Sequence, residues 1–322
     1  MNYFANKELS KNKAVQHTLE MEENYKEAIS NCVKRSSIIG STDSGSTFIP
    51  NFPVTDLRNV GVINDTTVDA IEKEEILYME WPDKDAITKS FTPRTAVLNF
   101  ASFKHPGGMF MNGSMAQEES LCHASYLYNV LSKFQESFYK ENRKFLNRSL
   151  YQNRGIYSPD VRFIFGDNKP MNRMWSCVAD VYTIAAPNAG SARRLGVPEK
   201  DISEELRRRI HFVIQHMLLR GPYKSVILGA FGCGVFKNSA EMVATLFYKE
   251  LDNMECQKRF GRVVFAIVGD GNANVFQRIL EERRESFGVK HLSPIPPIED
   301  FDDTSMHLSP IIRMDTFSNI LK

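Results

Sequence analysis

The feature that most constrains the fold is an alternation of two kinds of apolar segment from residue 94 onward. One kind is short, almost continuously apolar and rich in β-branched or aromatic residues, which is typical of strands buried on both faces. These segments span residues 94–102, 161–165, 178–187, 224–231 and 262–269. Between them lie segments whose apolar residues recur at helical spacing. The alternation predicts an α/β fold in which helices flank a sheet.

The helical segments have their apolar positions at Leu121, Ala124, Leu127, Tyr128, Leu131 and Phe134; at Leu206, Ile210, Val213 and Met217; at Met242, Val243, Leu246 and Phe247; and at Val275 and Ile279. In an open α/β sheet, ligands bind at the carboxyl ends of the strands. Functional residues are therefore predicted in the loops that follow residues 100, 187, 231 and 269.

The residues before and after this alternating region have different compositions. Residues 8–36 contain no Gly or Pro and favour helix, with Ala14, Leu19, Tyr25, Ile29 and Val33 as the expected inward positions. Residues 38–56 are rich in Ser, Thr, Gly and Pro and predict a loop. We expect an N-terminal helical accessory region, 1–90, packed on a core, 91–288, followed by a Pro-containing C-terminal tail, 289–322.

Charge and cysteine content exclude several classes of protein. Forty basic side chains balance 39 acidic ones, so the chain has no excess positive charge for binding duplex nucleic acid. Its five cysteines are odd in number and form no CxxC pair, which predicts neither a disulfide framework nor a zinc knuckle. The apolar runs are much shorter than a membrane span, and the N-terminus lacks the apolar core of a secretion signal. A cytoplasmic protein is predicted.

Other polar residues are interpreted as structural. His211 and His216 are five residues apart, off the i, i+4 face that helical zinc sites use, so no metal site is expected. Cys233 has no nearby partner base and is interpreted as loop backbone. The run 207–209, three arginines, predicts the solvated face of a helix. Pro187 and Asn188 are expected to end a strand, near a possible ligand cleft.

A glycine-bearing loop after residue 100 carries the first candidate chemistry. Gly107 and Gly108 precede an amphipathic helix, an arrangement that presents backbone N–H groups to a phosphate. Gln117, Glu118 and Glu119 begin that helix. Acidic residues there also complement the helix dipole, which is the structural alternative. Adjacent helix positions point about 100° apart, so the two glutamates cannot flank one bond as paired carboxylates. A carboxyl in a poorly solvated cleft favours its neutral form and can protonate a leaving oxygen.

A second glycine-rich loop follows the strand segment 224–231. Its sequence, GAFGCGVF at 229–236, lets the backbone approach a diphosphate closely, although a flexible turn is the structural alternative. The next helix is expected to be capped by Asn238 or Ser239. Phe236 either packs in the core or lies over a sugar ring.

The segments LNFASFKHPGGMFMNGSMAQEESL at 98–121 and GAFGCGVF at 229–236 resemble the signatures of the microbial-type poly(ADP-ribose) glycohydrolases. The similarity runs from about residue 8 to about residue 288. The resemblance implies a macrodomain-like mixed sheet flanked by helices. It also implies hydrolysis of the ribose–ribose O-glycosidic bond, releasing ADP-ribose from an ADP-ribose polymer or ADP-ribosylated protein, with no metal or other cofactor.

The resemblance also implies roles for individual residues. Glu119 corresponds to the catalytic glutamate, which protonates the glycosidic oxygen and then activates water, and Glu118 to the one that orients the ribose. The remaining residues implied to bind substrate are Asn99, Gly107, Gly108 and Gln117 from the first loop region, and Gly232, Cys233, Gly234, Val235 and Phe236 from the second.

One residue departs from the family pattern. Met109 stands where the family usually has a third consecutive glycine, and a side chain there narrows the expected diphosphate channel. The alternatives are therefore a hydrolase of mono-ADP-ribosylated protein or nucleic acid, or a non-catalytic ADP-ribose-binding module. Retention of both Glu118 and Glu119 argues against the binding module, which needs no proton donor.

Overall fold

The structure, a computed structural model, describes residues 3–40, 57–80, 92–166, 175–252 and 254–286. Within these residues the strands form one mixed sheet in the order β1-β4-β5-β3-β6-β7-β2. The strands are β1 (Ser37–Gly40), β2 (Val60–Ile63), β3 (Thr92–Phe100), β4 (Arg154–Phe165), β5 (Trp175–Ile184), β6 (Tyr223–Leu228) and β7 (Phe260–Ala266). β1, β4 and β5 pair antiparallel, and β5, β3, β6, β7 and β2 pair parallel.

Helices cover both faces of this sheet. They are α1 (Tyr3–Arg35), α2 (Thr67–Glu80), α3 (Gln117–His123), α4 (Leu127–Ser132), α5 (Ala189–Arg194), α6 (Glu199–Arg220), α7 (Ala240–Leu251), α8 (Met254–Arg259) and α9 (Asp270–Ser286), with a π-helical turn at Gln135–Lys140 and 3₁₀ turns at Phe110–Asn112 and Asn147–Ser149. The predicted α/β class is confirmed. Among the helices described, we find no segment with the length and hydropathy of a membrane span.

Strand β3 shows why the central strands are continuously apolar. Ala96 and Leu98 point into a core formed with α6, α7 and α9, whereas Val97 points into a second core formed with α1, α3 and α4. Successive side chains of a strand face opposite sides, so a strand covered on both faces needs apolar residues at nearly every position. All five strands predicted from this pattern are present.

Two strands, β1 and β2, were not predicted. Ser37–Gly40 lies partly in the segment predicted as a loop, but it pairs with β4, with Ile38 opposite Ile156. A four-residue edge strand has too few positions to show a period, and its pairing partner is remote in sequence. The N-terminal segment is therefore not solely helical, since it supplies both edge strands. Residues 41–56 and the predicted tail, 289–322, lie outside the described residues.

Helix α1 packs on the sheet with a different register from the one predicted. Ala14 and Ile29 are buried as expected, whereas Leu19 is 65% exposed and Met21 is buried instead. At about 100° per residue, Leu19 lies about 140° around the helix from Ala14, and Met21 only about 20°. Non-helical angles at Tyr25 (φ −128°, ψ 23°) kink the helix and separate the two buried stretches.

The arginine run at 207–209 is only partly solvated. Arg207 and Arg208 pair with Glu204 at the surface, as predicted, but Arg209 is fully buried. Its guanidinium donates to the backbone oxygens of Leu150 (3.1 Å) and Ala185, to Asn153 and to Glu205. Burial lowers the pKa of Arg209 to about 10, which leaves it charged at neutral pH. The prediction was wrong here because α6 turns this one position toward buried carbonyl groups.

Replacing Arg209 by Met is expected to lower the free energy of unfolding by about 3 kcal/mol or more, because buried carbonyl groups lose their donors. Arg208 is next to Arg209 in sequence but lies on the surface, so Arg208→Met should change the free energy of unfolding by less than about 0.5 kcal/mol. Urea unfolding of both variants measures the difference. Equal effects would mean that the buried hydrogen bonds contribute nothing net.

Candidate active site

A cleft of about 410 Å³ opens at the carboxyl ends of β3 and β6. It is lined by Phe100, Ala101, Ser102, His105, Gly108, Met109, Ser114, Ala116, Gln117, Glu118 and Glu119 on one side, and by Ala186, Ala230, Phe231, Gly232, Gly234, Val235 and Phe236 on the other. Volumes of this order hold a drug-sized ligand. The predicted loops after residues 100 and 231 form it. Ala186 follows the end of β5, and the predicted loop after residue 187 contributes no residue to the lining.

The predicted loop after residue 269 does not line the cleft. The Gly269 N–H donates to Asn64 Oδ1 (2.9 Å), and Asn64 Nδ2 donates to Asp270 Oδ1 (2.7 Å). These bonds tie the start of α9 to the end of β2, which is an edge strand of the sheet. The prediction was wrong because this loop bonds to Asn64, a contact between remote segments that the sequence does not show, and it does not reach the cleft.

Gln117 joins the first turn of α3 to the end of β3. Its Oε1 accepts from the Phe100 N–H (2.8 Å), and its Nε2 donates to the Leu98 carbonyl (2.9 Å) and to Thr67 Oγ1 (3.2 Å). The Gln117 side-chain amide thus makes the two hydrogen bonds, to the Phe100 N–H and the Leu98 carbonyl, that a neighbouring strand would otherwise make with the end of β3. Gln117 lines the cleft, and its polar atoms hold α3 in place, which positions the two glutamates that follow.

Glu118 lines the cleft but is almost completely buried. Its Oε2 accepts from the Ser102 N–H (2.6 Å), and Oε1 faces Asn99 Nδ2 at 3.4 Å. Burial raises the pKa of Glu118 to about 8, the charge of Glu119 adds to the rise, and the Ser102 N–H opposes it. The carboxyl is therefore neutral at pH 7. Asn99, predicted to lie near a ribose, is fully buried, also donates to Thr183 Oγ1 (3.2 Å), and is absent from the cleft lining.

The raised pKa of Glu118 predicts a pH-dependent stability. An unfolded glutamate loses its proton near pH 4.5 and the folded one near pH 8, so between these values the folded state binds more protons. The contribution of Glu118 to the free energy of unfolding is fully present below pH 4.5. It decreases as the pH rises to 8, by up to about 1.4 kcal/mol per pH unit. Glu118→Gln should remove this slope. Urea unfolding at pH 5, 6, 7 and 8 measures it, and identical slopes in both proteins would contradict the assignment.

Glu119 is held at the cleft wall by the glycine-bearing loop. Its Oε1 accepts from the Met109 N–H (2.8 Å), and the side chain lines the cleft while only 5% exposed. A Cβ on Gly108 (φ +61°) would lie 2.5 Å from Glu119 Oε1, and one on Gly107 (φ +62°) would lie 2.8 Å from the Tyr128 ring. Gly108 therefore lets the carboxylate approach the loop, and Gly107, outside the lining, lets the loop pack on α3 and α4.

Met109 occupies its place in this loop without backbone strain. Its φ of −108° is ordinary for a residue with a side chain, and its side chain is half-exposed at the cleft wall. The position thus tolerates a side chain while its N–H still binds Glu119. The effect of Met109 falls on the shape of the cleft and not on the geometry of the carboxylate.

The second loop is closed by Asn238. Its Nδ2 donates to the carbonyls of Pro187 (2.9 Å) and Gly232 (3.0 Å), and a Cβ on Gly232 (φ +73°) would lie 2.5 Å from both Asn238 Nδ2 and Ala186 Cβ. The cap of α7 is Ser239, whose Oγ accepts from the Met242 N–H. Asn238, the other residue expected as a possible cap, does not cap the helix but shapes the loop that faces α3.

The members of the second loop differ in their exposure to the cleft. Gly232, Gly234, Val235 and Phe236 line it, and Val235 is 82% exposed, whereas Cys233 is absent from the lining. Burial raises the pKa of Cys233 to about 12, so its thiol stays protonated at neutral pH, in agreement with its interpretation as loop backbone.

Phe236 lies between the cleft and a small aromatic cluster. Its ring is 6.1 Å from that of Tyr151, which stacks on Phe103 at 4.4 Å. Tyr151 follows Leu150, and the carbonyl oxygen of Leu150 accepts a hydrogen bond from Arg209. Phe236 therefore has support from the scaffold while it lines the cleft. Tyr151 and Ser102 were missed as supporting residues because their contacts come from segments remote in sequence.

Comparisons with known proteins agree with this geometry. Residues 5–165, half of the chain, match the model of the microbial-type PARG catalytic domain. The poly(ADP-ribose) glycohydrolase (PARG) of Thermomonospora curvata is 26% identical, with a TM-score of 0.65, over 84% of this chain and 99% of that chain. Its complex with the inhibitor ADP-HPD is 25% identical over the same shares, with a TM-score of 0.64.

The Deinococcus radiodurans PARG in complex with ADP-ribose is 27% identical, with a TM-score of 0.60, over 79% of this chain and 97% of that chain. Comparison with curated proteins gives no match. The macrodomain-like fold implied by the sequence resemblance is thus confirmed. On the family match and these structural similarities, the chain belongs to the microbial-type poly(ADP-ribose) glycohydrolase family.

Proposed function

We propose that this protein is a poly(ADP-ribose) glycohydrolase that hydrolyses ribose–ribose O-glycosidic bonds and releases ADP-ribose. The observation that carries the proposal is the position of Glu119. Its carboxyl lies at the wall of a nucleotide-sized cleft, held by the Met109 N–H, between two loops whose glycines expose backbone. Family membership and the similarity to a PARG bound to ADP-ribose support the same reaction.

In the proposed mechanism Glu119 acts first as acid and then as base. The protonated carboxyl gives its proton to the glycosidic oxygen as the bond from that oxygen to the ribose C1 breaks, leaving an oxocarbenium-like ribose. The resulting carboxylate takes a proton from water as the water oxygen bonds to C1. Glu119 thereby regains its proton, and one hydroxyl forms on each product.

The other cleft residues are proposed to bind and orient the substrate. Glu118, neutral at pH 7, can exchange hydrogen bonds with a ribose hydroxyl and does not repel charge on Glu119. Gly232 and Gly234 offer backbone N–H groups to the diphosphate, whereas the Gly108 N–H is already bonded to the His105 carbonyl. Phe236 would pack against the ribose next to the cleaved bond. Asn99 acts through Glu118, because its amide group points toward the Glu118 carboxyl.

The test is incubation of the purified protein with poly(ADP-ribosyl)ated protein, followed by chromatography of the released nucleotide. Free ADP-ribose is the expected product. The half-exposed Met109 side chain in the cleft favours one competing function, removal of a single protein-linked ADP-ribose. Release from a mono-modified protein but not from polymer would establish that function instead, and tight ADP-ribose binding without release from either would indicate a binding module.

We also propose that the protein works in the cytoplasm. Cys32, Cys122, Cys177 and Cys233 carry free thiols in the structure, which suits a reducing compartment. Fractionation of cells that express the tagged protein tests this proposal.

A further inference from the structure

A basic cluster lies beside the cleft, next to the loop that holds Glu119. It consists of Lys104, His105 and Arg143, and is called here the basic lip. Arg143 donates from Nε (3.2 Å) and Nη2 (2.9 Å) to the Lys104 carbonyl, and Nη2 is 3.3 Å from His105 Nδ1. His105 itself lines the cleft. The guanidinium is thus fixed at the cleft edge by backbone and ring contacts.

The charges of the basic lip are not neutralised by the described part of the chain. Lys104 and Arg143 form no ion pair with a described carboxylate. By contrast, Lys140 and Lys144, on the same segment as Arg143, pair with Glu136 and Glu141 at 2.7 Å. Two neighbouring cations without a counter-ion repel each other, and such an arrangement is stabilised when an anion binds.

His105 is oriented to help bind an anion. Burial lowers its pKa, and the charges of Arg143 and Lys104 lower it further, so the ring is neutral at pH 7. A guanidinium can only donate hydrogen bonds, so His105 Nδ1 accepts from Arg143 and the ring proton lies on Nε2. The basic lip therefore offers N–H donors from all three side chains.

The basic lip is connected to the reacting centre by two short links. The Gly108 N–H donates to the His105 carbonyl (3.1 Å), and the next N–H, that of Met109, binds Glu119. A cleft of about 410 Å³ accommodates about one ADP-ribose unit. In a polymer, the diphosphate of an adjoining unit must then lie outside the cleft, where a cationic surface would lower its energy.

From these observations we propose that Lys104, His105 and Arg143 form an anion subsite for the diphosphate of the ADP-ribose unit adjoining the one in the cleft. This inference rests on the proposed function. It adds that the polymer, and not a single ADP-ribose, is the preferred substrate. Met109 shapes the cleft for one ADP-ribose unit. The basic lip raises the affinity only for a substrate that has a second unit, whose diphosphate it binds.

The test compares charge-removing variants that keep side-chain hydrogen bonding. In Lys104→Gln/Arg143→Gln, the KM for polymer should rise about tenfold and its dependence on salt should weaken, with kcat unchanged. The affinity for free ADP-ribose should stay as in wild type. Lys144→Gln is the matched control, since it removes a nearby charge that Glu141 already pairs, and it should change neither quantity.

Binding without turnover separates this inference from the proposed function. In a Glu119→Gln background, calorimetry measures affinity for free ADP-ribose and for ADP-ribose oligomers of defined length, with and without the two lip substitutions. Tighter binding of oligomer that disappears in the lip variant supports the subsite, even if wild type releases no ADP-ribose and the catalytic proposal fails. Equal affinity for monomer and oligomer, or no effect of the lip substitutions, would overturn the subsite, even if wild type is active.

Discussion

Replacing Glu119 by Gln is expected to lower kcat for release of ADP-ribose from polymer by about 10²–10⁴-fold, the usual contribution of a general acid–base group. A glutamine keeps the volume of the side chain and can still accept the Met109 N–H bond. It cannot give a proton to the leaving oxygen or take one from water. Since the proton is needed mainly in the transition state, affinity for ADP-ribose should stay within about tenfold.

Single-turnover kinetics with purified polymer measures the loss, and calorimetry measures the affinity. Glu136→Gln, which changes a 74% exposed carboxylate on the surface, is the control and should leave kcat unchanged. A Glu119→Gln protein with wild-type kcat would show that another group supplies the proton. Loss of ADP-ribose binding together with kcat would assign Glu119 to binding, and thermal unfolding checks that the variant is folded.

Replacing Gly108 by Ala is expected to have the second largest effect, with kcat/KM falling by about 10²-fold or more, as small displacements of catalytic groups do. The new Cβ would lie 2.5 Å from Glu119 Oε1 and 3.0 Å from Glu118 Oε2. Either the loop or the Glu119 side chain must move, and the 2.8 Å bond between them is lost. The φ of +61° adds about 1 kcal/mol of backbone strain.

Gly196→Ala separates the strain from the contact. Gly196 also has a positive φ, +68°, but an added Cβ there would meet nothing within 4 Å. We expect this variant to lose about 1 kcal/mol of stability and to keep full activity. Steady-state kinetics and urea unfolding of both variants provide the comparison. If Gly108→Ala loses only as much as Gly196→Ala in both measurements, the contact with Glu119 does not matter.

Several elements could be predicted from the sequence because their cause is local. The five longer strands are continuously apolar, and burial on both faces requires that pattern wherever the strand lies in the sheet. The positions of Gly107 and Gly108 before Gln117 likewise predicted a loop that opens onto a helix start. The structure adds the reason for the glycine at 108, which is the carboxylate of Glu119 that approaches it.

Other features depend on which remote segments meet. Arg209 looks like its neighbours in sequence and is buried only because carbonyls from Leu150 and Ala185 converge on it. Asn99 ends a strand, yet it lies under Glu118 and not in the cleft. The loop after residue 269 follows a strand like the others, but its bonds to Asn64, which is remote in sequence, hold it at the end of β2 and not at the cleft.

By itself the sequence determined the α/β class, the two glycine-rich loops and the Gln117–Glu119 segment, because backbone freedom, apolar periodicity and side-chain chemistry are properties of short segments. Only the tertiary structure decided that the two loops face each other across one cleft, that Glu118 is neutral, and that Arg143 stands beside His105. Burial and charge proximity are sums over groups from many parts of the chain. They exist only once the chain has folded.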